Sequence, residues 1–429
     1  MLIRNALVYT DDHRFEKRDL RTVGKRIAGS EADRIAGSEA DRIAGSPEAP
    51  SKENRAAAEE VIDAEGLYAL PGLVDIHLHG AAGFDLFDAD PASIRRIAEF
   101  EAENGVTAFC PAAMTCGEEK LKEILDAAAE YGRIQEGTAA GTEAGEEELP
   151  AAELLGVRLE GPFLSPLKAG AQDPKYIRRG DTAFFREMQE RCGGMIRILD
   201  TAPEEPGNLE MIRELSKEVR ISVAHTAADL DTAKEAFRAG ARQLTHLYNA
   251  MPGIHHRMPG PVIAALDLDA GIAAELIADG IHVHPAMVRF TFRNFGPENM
   301  ILISDSMRAC GLPAGQYELG GQAVTVLEEP VRISGGEGTS GSTKKKAVLT
   351  DHPETLAGSV ATLYDCLRCA VLEMGIPLPD AVRAASENPA RALGVCGDYG
   401  TLSAGAFADV ILADKDLNLR AVILKGKKI

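Results

Sequence analysis

The sequence predicts an α/β protein: a closed (β/α)8 barrel of TIM type with a small β-sandwich domain built from both chain ends. Three observations predict it. Eight short apolar runs recur along the chain with helix-like stretches between them, and strands alternating with helices imply parallel βα units. Imidazoles and carboxylates stand at the ends of most of those runs, where a barrel of this kind builds its active site. A chain of 429 residues also has room for one barrel of about 250–350 residues beside a smaller domain.

Residues 1–67 read as the N-terminal part of the sandwich, beginning with the strand Leu2–Tyr9. Within them the octapeptide RIAGSEAD occupies Arg26–Asp33, is repeated at Arg34–Asp41 and begins again at Arg42. A copy this short is no solenoid unit, so the insertion 26–46 reads as a polar, charge-balanced expansion of a hairpin loop. Residues 68–394 read as the barrel. Its eight runs are Leu73–Gly80, Gly105–Pro111, Leu154–Gly161, Met195–Thr201, Val219–Thr226, Arg242–Asn249, Gly271–Gly280 and Asn299–Asp305. Helical patterning falls between several of them, at Pro91–Glu103, Glu118–Ala129, Asn208–Lys217, Leu230–Ala239 and Met287–Phe295. Two biased stretches, the acidic Gly-rich Gly137–Glu148 and the Gly/Ser/Lys-rich Gly335–Lys346, are expected to be mobile surface loops. Residues 395–429 carry the strands Asp409–Leu412 and Arg420–Leu424, which would return to the sandwich.

The first barrel run ends in His77 and His79, one residue apart and followed by Gly80. Side chains alternate between faces along a strand, so the two imidazoles are expected to point the same way and to share one divalent metal; neutral imidazole suits Zn, Fe, Co and Ni. Glu160 ends the third run, His225 the fifth, His246 the sixth and Asp305 the eighth, with Asp279 and His282 just past the seventh. Each alone could be a helix cap or a satisfied core group. Together at one rim they would be costly to desolvate unless paired or bound to metal, and they read as a metal site.

Longer motifs surround these positions: LEGPF at Leu159–Phe163, AGAQ at Ala169–Gln172, AHT at Ala224–Thr226, THLYNAM at Thr245–Met251, DGIH at Asp279–His282, SDSMRA at Ser304–Ala309 and LAGS at Leu356–Ser359. In order and spacing, from about Leu67 to Leu393, they resemble the amidohydrolase superfamily, and within it the deacetylases of amino-sugar phosphates. The resemblance implies a metal-dependent hydrolase barrel that removes the N-acetyl group of N-acetylglucosamine 6-phosphate, leaving glucosamine 6-phosphate and acetate. It implies one or two divalent transition metals per subunit, zinc or iron, with Glu160 between His77, His79 and Asp305 on one side and His225 and His246 on the other. Asp305 would serve as general base and then acid, which calls for a raised carboxyl pKa. Gln172, Asn249, the backbone amides of Ala250 and Met251, Arg257 and His282 are the substrate-binding candidates. Arginine's planar fork suits phosphate, and Arg257 lies in a Pro/Gly-rich loop that could reach its own mouth or, as the resemblance suggests, the partner's site in a homodimer. Gln172 donates hydrogen bonds but carries no proton, so it would polarise the acyl carbonyl at most.

Other readings on the same scaffold are an N-acyl-amino-acid deacylase, a cyclic amidase, or a non-catalytic barrel; the phosphate candidates and the complete ligand set weigh against them. A formal net charge of −20 argues against nucleic-acid or anionic-membrane partners. No run of about 20 apolar residues or signal-peptide core is apparent, and seven cysteines without paired spacing fit a reducing cytoplasm.

Overall fold

The computed structural model describes residues 1–29, 60–139, 150–268, 271–332 and 339–429. The tandem repeat beyond residue 29 and the acidic stretch 140–149 lie outside the described residues.

Eight parallel strands form the barrel: β1 (Leu73–Asp75), β2 (Val106–Phe109), β3 (Val157–Glu160), β4 (Ile196–Thr201), β5 (Arg220–Val223), β6 (Gln243–Leu244), β7 (Ala273–Ile277) and β8 (Met300–Ile303). From β3 to β8 each strand pairs with the next in parallel register. β1 pairs with β2, and the short strand Ala112–Met114 continues from β2 to β3. The ring closes through backbone bonds at the barrel mouth: Asp305 N donates to His77 O at 2.9 Å, and His79 N to Ser306 O at 2.7 Å.

Local signals explain where the helices begin. In Pro91–Glu103, Asp90 caps the amides of Ala92 and Ser93 and proline takes the first turn, while Ile94, Ile97 and Ala98 face the core, a pattern favoured by the orphan donors of a helix start. In Leu230–Ala239, Asp229 caps Thr232 N and Ala233, Ala236 and Phe237 are buried. Glu118–Ala139 runs ten residues past the expected end, because Tyr131 is buried and Gln135 exchanges hydrogen bonds with Leu154. The first residues of the expected acidic loop are therefore helical.

Both chain ends enter one eight-stranded sheet. Leu2–Tyr9 pairs with Phe15–Val23 on one side and with Val61–Asp63 and Tyr68–Pro71 on the other; Val410–Ala413 pairs with Tyr68–Pro71 and then with Leu419–Leu424. Residues 68–71 thus pair with this sheet rather than opening the barrel. Ile3, Ala6, Val8, Leu20, Val410, Leu412 and Ile423 form one core, whereas Tyr9, Leu70, Ile411 and Leu424 pack with the barrel, as the two-residue strand period requires.

After β8 the chain makes a three-stranded antiparallel sheet: Gly315–Leu319, Gln322–Arg332 and Thr339–Leu349. This corrects the expectation of a loop over 335–346, since residues 339–346 are strand. The lysines that read as loop-like face glutamates across the ladder, Lys344 opposite Glu329 and Lys345 opposite Glu328, pairs that favour such a strand. The sheet's apolar face, with Leu319, Val324, Val326, Ala347 and Leu349, packs on Met114, Met307 and Ala309 beside the barrel mouth.

Candidate active site

His77, His79, Glu160, His225, His246 and Asp305 converge at the C-terminal end of the barrel, each no more than 7% exposed. The strand periodicity invoked for His77 and His79 does not hold, because β1 ends at Asp75 and both histidines lie beyond it. They face the same cluster all the same, with ring centroids 5.6 Å apart. Three of the six hold left-handed backbone: His225 (φ 42°), His246 (φ 28°) and Asp305 (φ 50°). Such conformations cost about 1–3 kcal/mol each and persist where the surroundings over-determine them, often at functional sites.

Three imidazoles have their Nδ1 spoken for: His77 by Glu275 Oε2 at 3.2 Å, His79 by Ala112 O at 3.2 Å and His225 by Lys168 O at 2.9 Å. Each acceptor can take only an N–H, so each ring carries its proton on Nδ1 and turns Nε2 inward. Glu160 is the hub. Its Oε1 lies 3.1 Å from His225 Nε2, 3.1 Å from His246 Nε2 and 3.5 Å from His77 Nε2; its Oε2 lies 3.4 Å from His79 Nε2. Asp305 Oδ1 is 3.2 Å from His79 Nε2 and 3.5 Å from His77 Nε2.

These groups fit a metal. Two triads, His77/His79/Asp305 and Glu160/His225/His246, each gather ligand atoms within 4.8 Å of one another. Ligands held about 2.1 Å from one ion in tetrahedral array stand about 3.4 Å apart, close to the separations of 3.1–3.5 Å found here. His77 Nε2 and Asp305 Oδ1 are also buried with no hydrogen-bond partner among the described residues, a costly state for polar atoms with nothing to bind.

Electrostatics tie the same groups together. Burial works against both partners, yet the negative charge of Glu160 and Asp305 raises the His77 imidazole to about 10. Burial also raises the Asp305 carboxyl, but His77 and His79 outweigh it and bring it to about 2. The acid step calls for a raised, metal-modulated value at Asp305, whereas the His77 and His79 imidazoles by themselves pull this carboxyl down. Glu160 falls well below the ordinary carboxylate range for the same reason.

A cavity of about 320 Å³ opens on this cluster, lined among others by His79, Glu160, Gln172, Asn249, Ala250 and His282. Gln172 is engaged at both ends: Nε2 donates to Glu160 Oε2 at 2.8 Å, and Oε1 accepts from Thr115 N at 2.8 Å. It orients the hub carboxylate, a contact absent from the sequence reading. Asn249 Nδ2 is turned back onto His246 O at 3.0 Å. Neither the Ala250 nor the Met251 amide donates to a protein group among the described residues; Met251 itself is buried behind the wall. His282 Nδ1 meets Asp279 Oδ2 at 2.7 Å, while Asp279 Oδ1 accepts the amides of Ile281 and His282. Arg257 is exposed, with its guanidinium 2.7 Å from His256 Nε2, and does not line its own chain's cavity. Sequence reasoning missed Tyr248, Leu319 and the segment Glu354, Thr355, Leu356 and Gly358, which complete the wall; the LAGS motif was the available signal.

A (β/α)8 barrel with four imidazoles and two carboxylates converging at its C-terminal mouth defines a hydrolase of the metal-centre class. The chain belongs to the amidohydrolase family, whose sequence profile matches residues 68–429. It is 37% identical over 377 residues to an N-acetylglucosamine-6-phosphate deacetylase of Bacillus subtilis, covering 88% of this chain and 86% of the relative. It is 34% identical over 366 residues to an N-acetylgalactosamine-6-phosphate deacetylase of Escherichia coli O157:H7, covering 85% and 88%. A solved mutant N-acetyl-D-glucosamine-6-phosphate deacetylase of Mycobacterium smegmatis, in complex with N-acetyl-D-glucosamine-6-phosphate, superposes with a TM-score of 0.79 at 31% identity, over 100% of this chain and 98% of that one.

Proposed function

We propose that this protein hydrolyses the N-acetyl group of N-acetylglucosamine 6-phosphate to give glucosamine 6-phosphate and acetate, in amino-sugar metabolism. The observation that carries the reading is the convergence of His77, His79, Glu160, His225, His246 and Asp305 in two adjoining triads, all but the fully buried His77 lining one cavity, in a chain that shares most of its length with deacetylases of this substrate class.

One or two divalent transition metals, zinc or iron, held by those six residues would acidify water to a pKa of about 7 and polarise the acyl carbonyl. The chain's own groups do the rest. Asp305, ionised at neutral pH, accepts the proton of the attacking water and later delivers it to the departing amine nitrogen. Gln172 holds the Glu160 carboxylate in register. Asp279 fixes the His282 ring so that Nε2 faces the cavity, where it binds the sugar phosphate together with Asn249 and the free amides of Ala250 and Met251. Arg257, which does not line its own chain's cavity, supplies the partner subunit's site in a homodimer. Among the described residues no helix is long and apolar enough to cross a membrane, and all seven cysteines are free thiols, in keeping with a cytoplasmic enzyme.

Acetate release from N-acetylglucosamine 6-phosphate, N-acetylgalactosamine 6-phosphate and their unphosphorylated sugars tests the reading. Phosphorylated substrates should exceed the free sugars at least tenfold in kcat/KM, with the gluco epimer preferred. Preference for the galacto epimer would move the assignment to that sugar, as one relative's name suggests. Equal turnover with and without phosphate would overturn it.

A further inference from the structure

Beneath the ligands, the barrel interior holds a polar layer that the reaction does not use directly. Arg158, on β3 two residues before Glu160, is wholly buried, as are Asp200, Ser222, Gln243, Thr245 and Glu275 from β4 to β7 and their ends. Arg158 grips both carboxylates at once. Its Nε and Nη2 donate to Asp200 Oδ2 and Oδ1 at 2.8 and 2.7 Å, Nη2 also reaches Thr245 Oγ1 at 2.6 Å, and Nη1 donates to Glu275 Oε1. Gln243 Nε2 donates to the same Glu275 oxygen. The other oxygen, Oε2, turns towards the mouth: it lies 3.2 Å from His77 Nδ1 and accepts the His246 amide at 3.2 Å.

Burying one arginine and two carboxylates costs several kcal/mol per ion before their attraction is counted, and well-packed apolar groups often do as well or better for stability. The layer also leaves one negative charge in excess, and that charge faces the His77 ring, whose Nε2 has no partner among the described residues. A carboxylate on the far nitrogen of a metal-binding imidazole sets its tautomer and orientation and raises its basicity. We infer that Glu275, clamped by Arg158, is a positioning residue for the metal centre: it holds His77 with Nδ1 as donor and Nε2 open to a divalent cation, and anchors the backbone of His246 on the opposite triad. This inference rests on the proposed metal centre. Glutamine cannot replace Glu275 there, because its amide nitrogen would face either the Arg158 guanidinium or the His77 N–H, a donor against a donor.

The test measures metal binding in the full chain. Glu275→Gln should weaken Zn(II) affinity, read by competition with a chromophoric chelator, by about ten- to a hundredfold. It should also change the visible spectrum of the cobalt-loaded protein, which reports ligand geometry. Turnover should recover towards wild type as metal is raised to saturation. Arg158→Lys keeps the buried charge but cannot span Asp200 and Glu275 together; it should weaken zinc in the same direction, and it decides the matter if Glu275→Gln does not fold. Zinc affinity within twofold of wild type and an unchanged cobalt spectrum, even with a lowered melting temperature, would reduce the layer to a structural brace. A wild-type protein that binds no metal would instead remove the metal-centre reading on which the inference stands.

Discussion

Asp279→Asn separates the proposed phosphate-binding part of the site from the part proposed for acyl chemistry. The Asp279 carboxylate accepts the Ile281 and His282 amides at 2.8 and 2.9 Å and the His282 ring at 2.7 Å. Burial alone would depress the His282 imidazole, but the neighbouring carboxylate outweighs it and raises the ring above its ordinary value. Burial likewise raises Asp279, and the His282 charge and hydrogen bonds bring it below the usual range. The charged form of His282 is therefore fully present at low pH and is lost only as pH rises through its raised value; that of Asp279 is lost only as pH falls through its lowered one. Asparagine keeps the shape and can still accept both amides, but its NH2 group meets Nδ1, so the ring must move its proton to Nε2 and loses the charge. A hydrogen bond to a charged group contributes about 1.5–3 kcal/mol, so kcat/KM for the 6-phosphate should fall about ten- to a hundredfold at 1.36 kcal/mol per decade. The loss should widen as pH rises from the variant's value, depressed by burial, towards the raised wild-type value, because over that interval only wild type keeps the charge. Steady-state kinetics on phosphorylated and free N-acetylglucosamine, with metal content measured in parallel, form the assay. Equal loss on both substrates, or a loss that tracks metal content, would refute the reasoning.

Asp305→Asn should lower kcat by about a thousandfold, within the range for acid–base groups, while the five remaining ligands keep most of the metal; activity lost only in step with metal would make Asp305 a ligand and nothing more. Arg257→Ala should raise KM for the phosphorylated substrate by about ten- to a hundredfold, and subunit exchange with Asp305→Asn protein should restore a fraction of sites; a failure to complement would return the arginine to its own chain's site. Gly161→Ala should destabilise the fold by roughly 2–4 kcal/mol, read as a lower melting temperature, because Gly161 holds φ +113° and a methyl there would lie 2.0 Å from Thr115 Oγ1. An unchanged melting temperature would mean that the Glu160 turn yields without cost.

The barrel was legible because each strand is a short apolar run and each ligand stands at a run's end, so periodicity and chemistry point to the same residues. Helix starts were legible where a cap announces them, as Asp90 with Pro91 and Asp229 do. Other features left no local trace. The lysines of Thr339–Leu349 look like a loop until their glutamate partners across the ladder are known. The contact between Gln172 and Glu160 is set by the loop after β3 turning back over 12 positions, and the Arg158 clamp across β3, β4 and β7 by barrel closure, which brings residues 117 positions apart into hydrogen-bond reach. Arg158 and Glu275 did carry a hint, as charges inside otherwise apolar strands. The downward pull on Asp305 depends on imidazoles far away in the sequence that barrel closure brings beside it, and a carboxyl read alone gives no sign of it.

In the proposed function, His77, His79, Glu160, His225, His246 and Asp305 hold the metal on which deacetylation depends. The most direct test of that role is acetate release from N-acetylglucosamine 6-phosphate by protein of known metal content, before chelation, after it, and after zinc or iron is restored. One to two equivalents of divalent metal per chain are expected, with turnover abolished by chelation and recovered on reloading. Full turnover by metal-free protein would contradict that role.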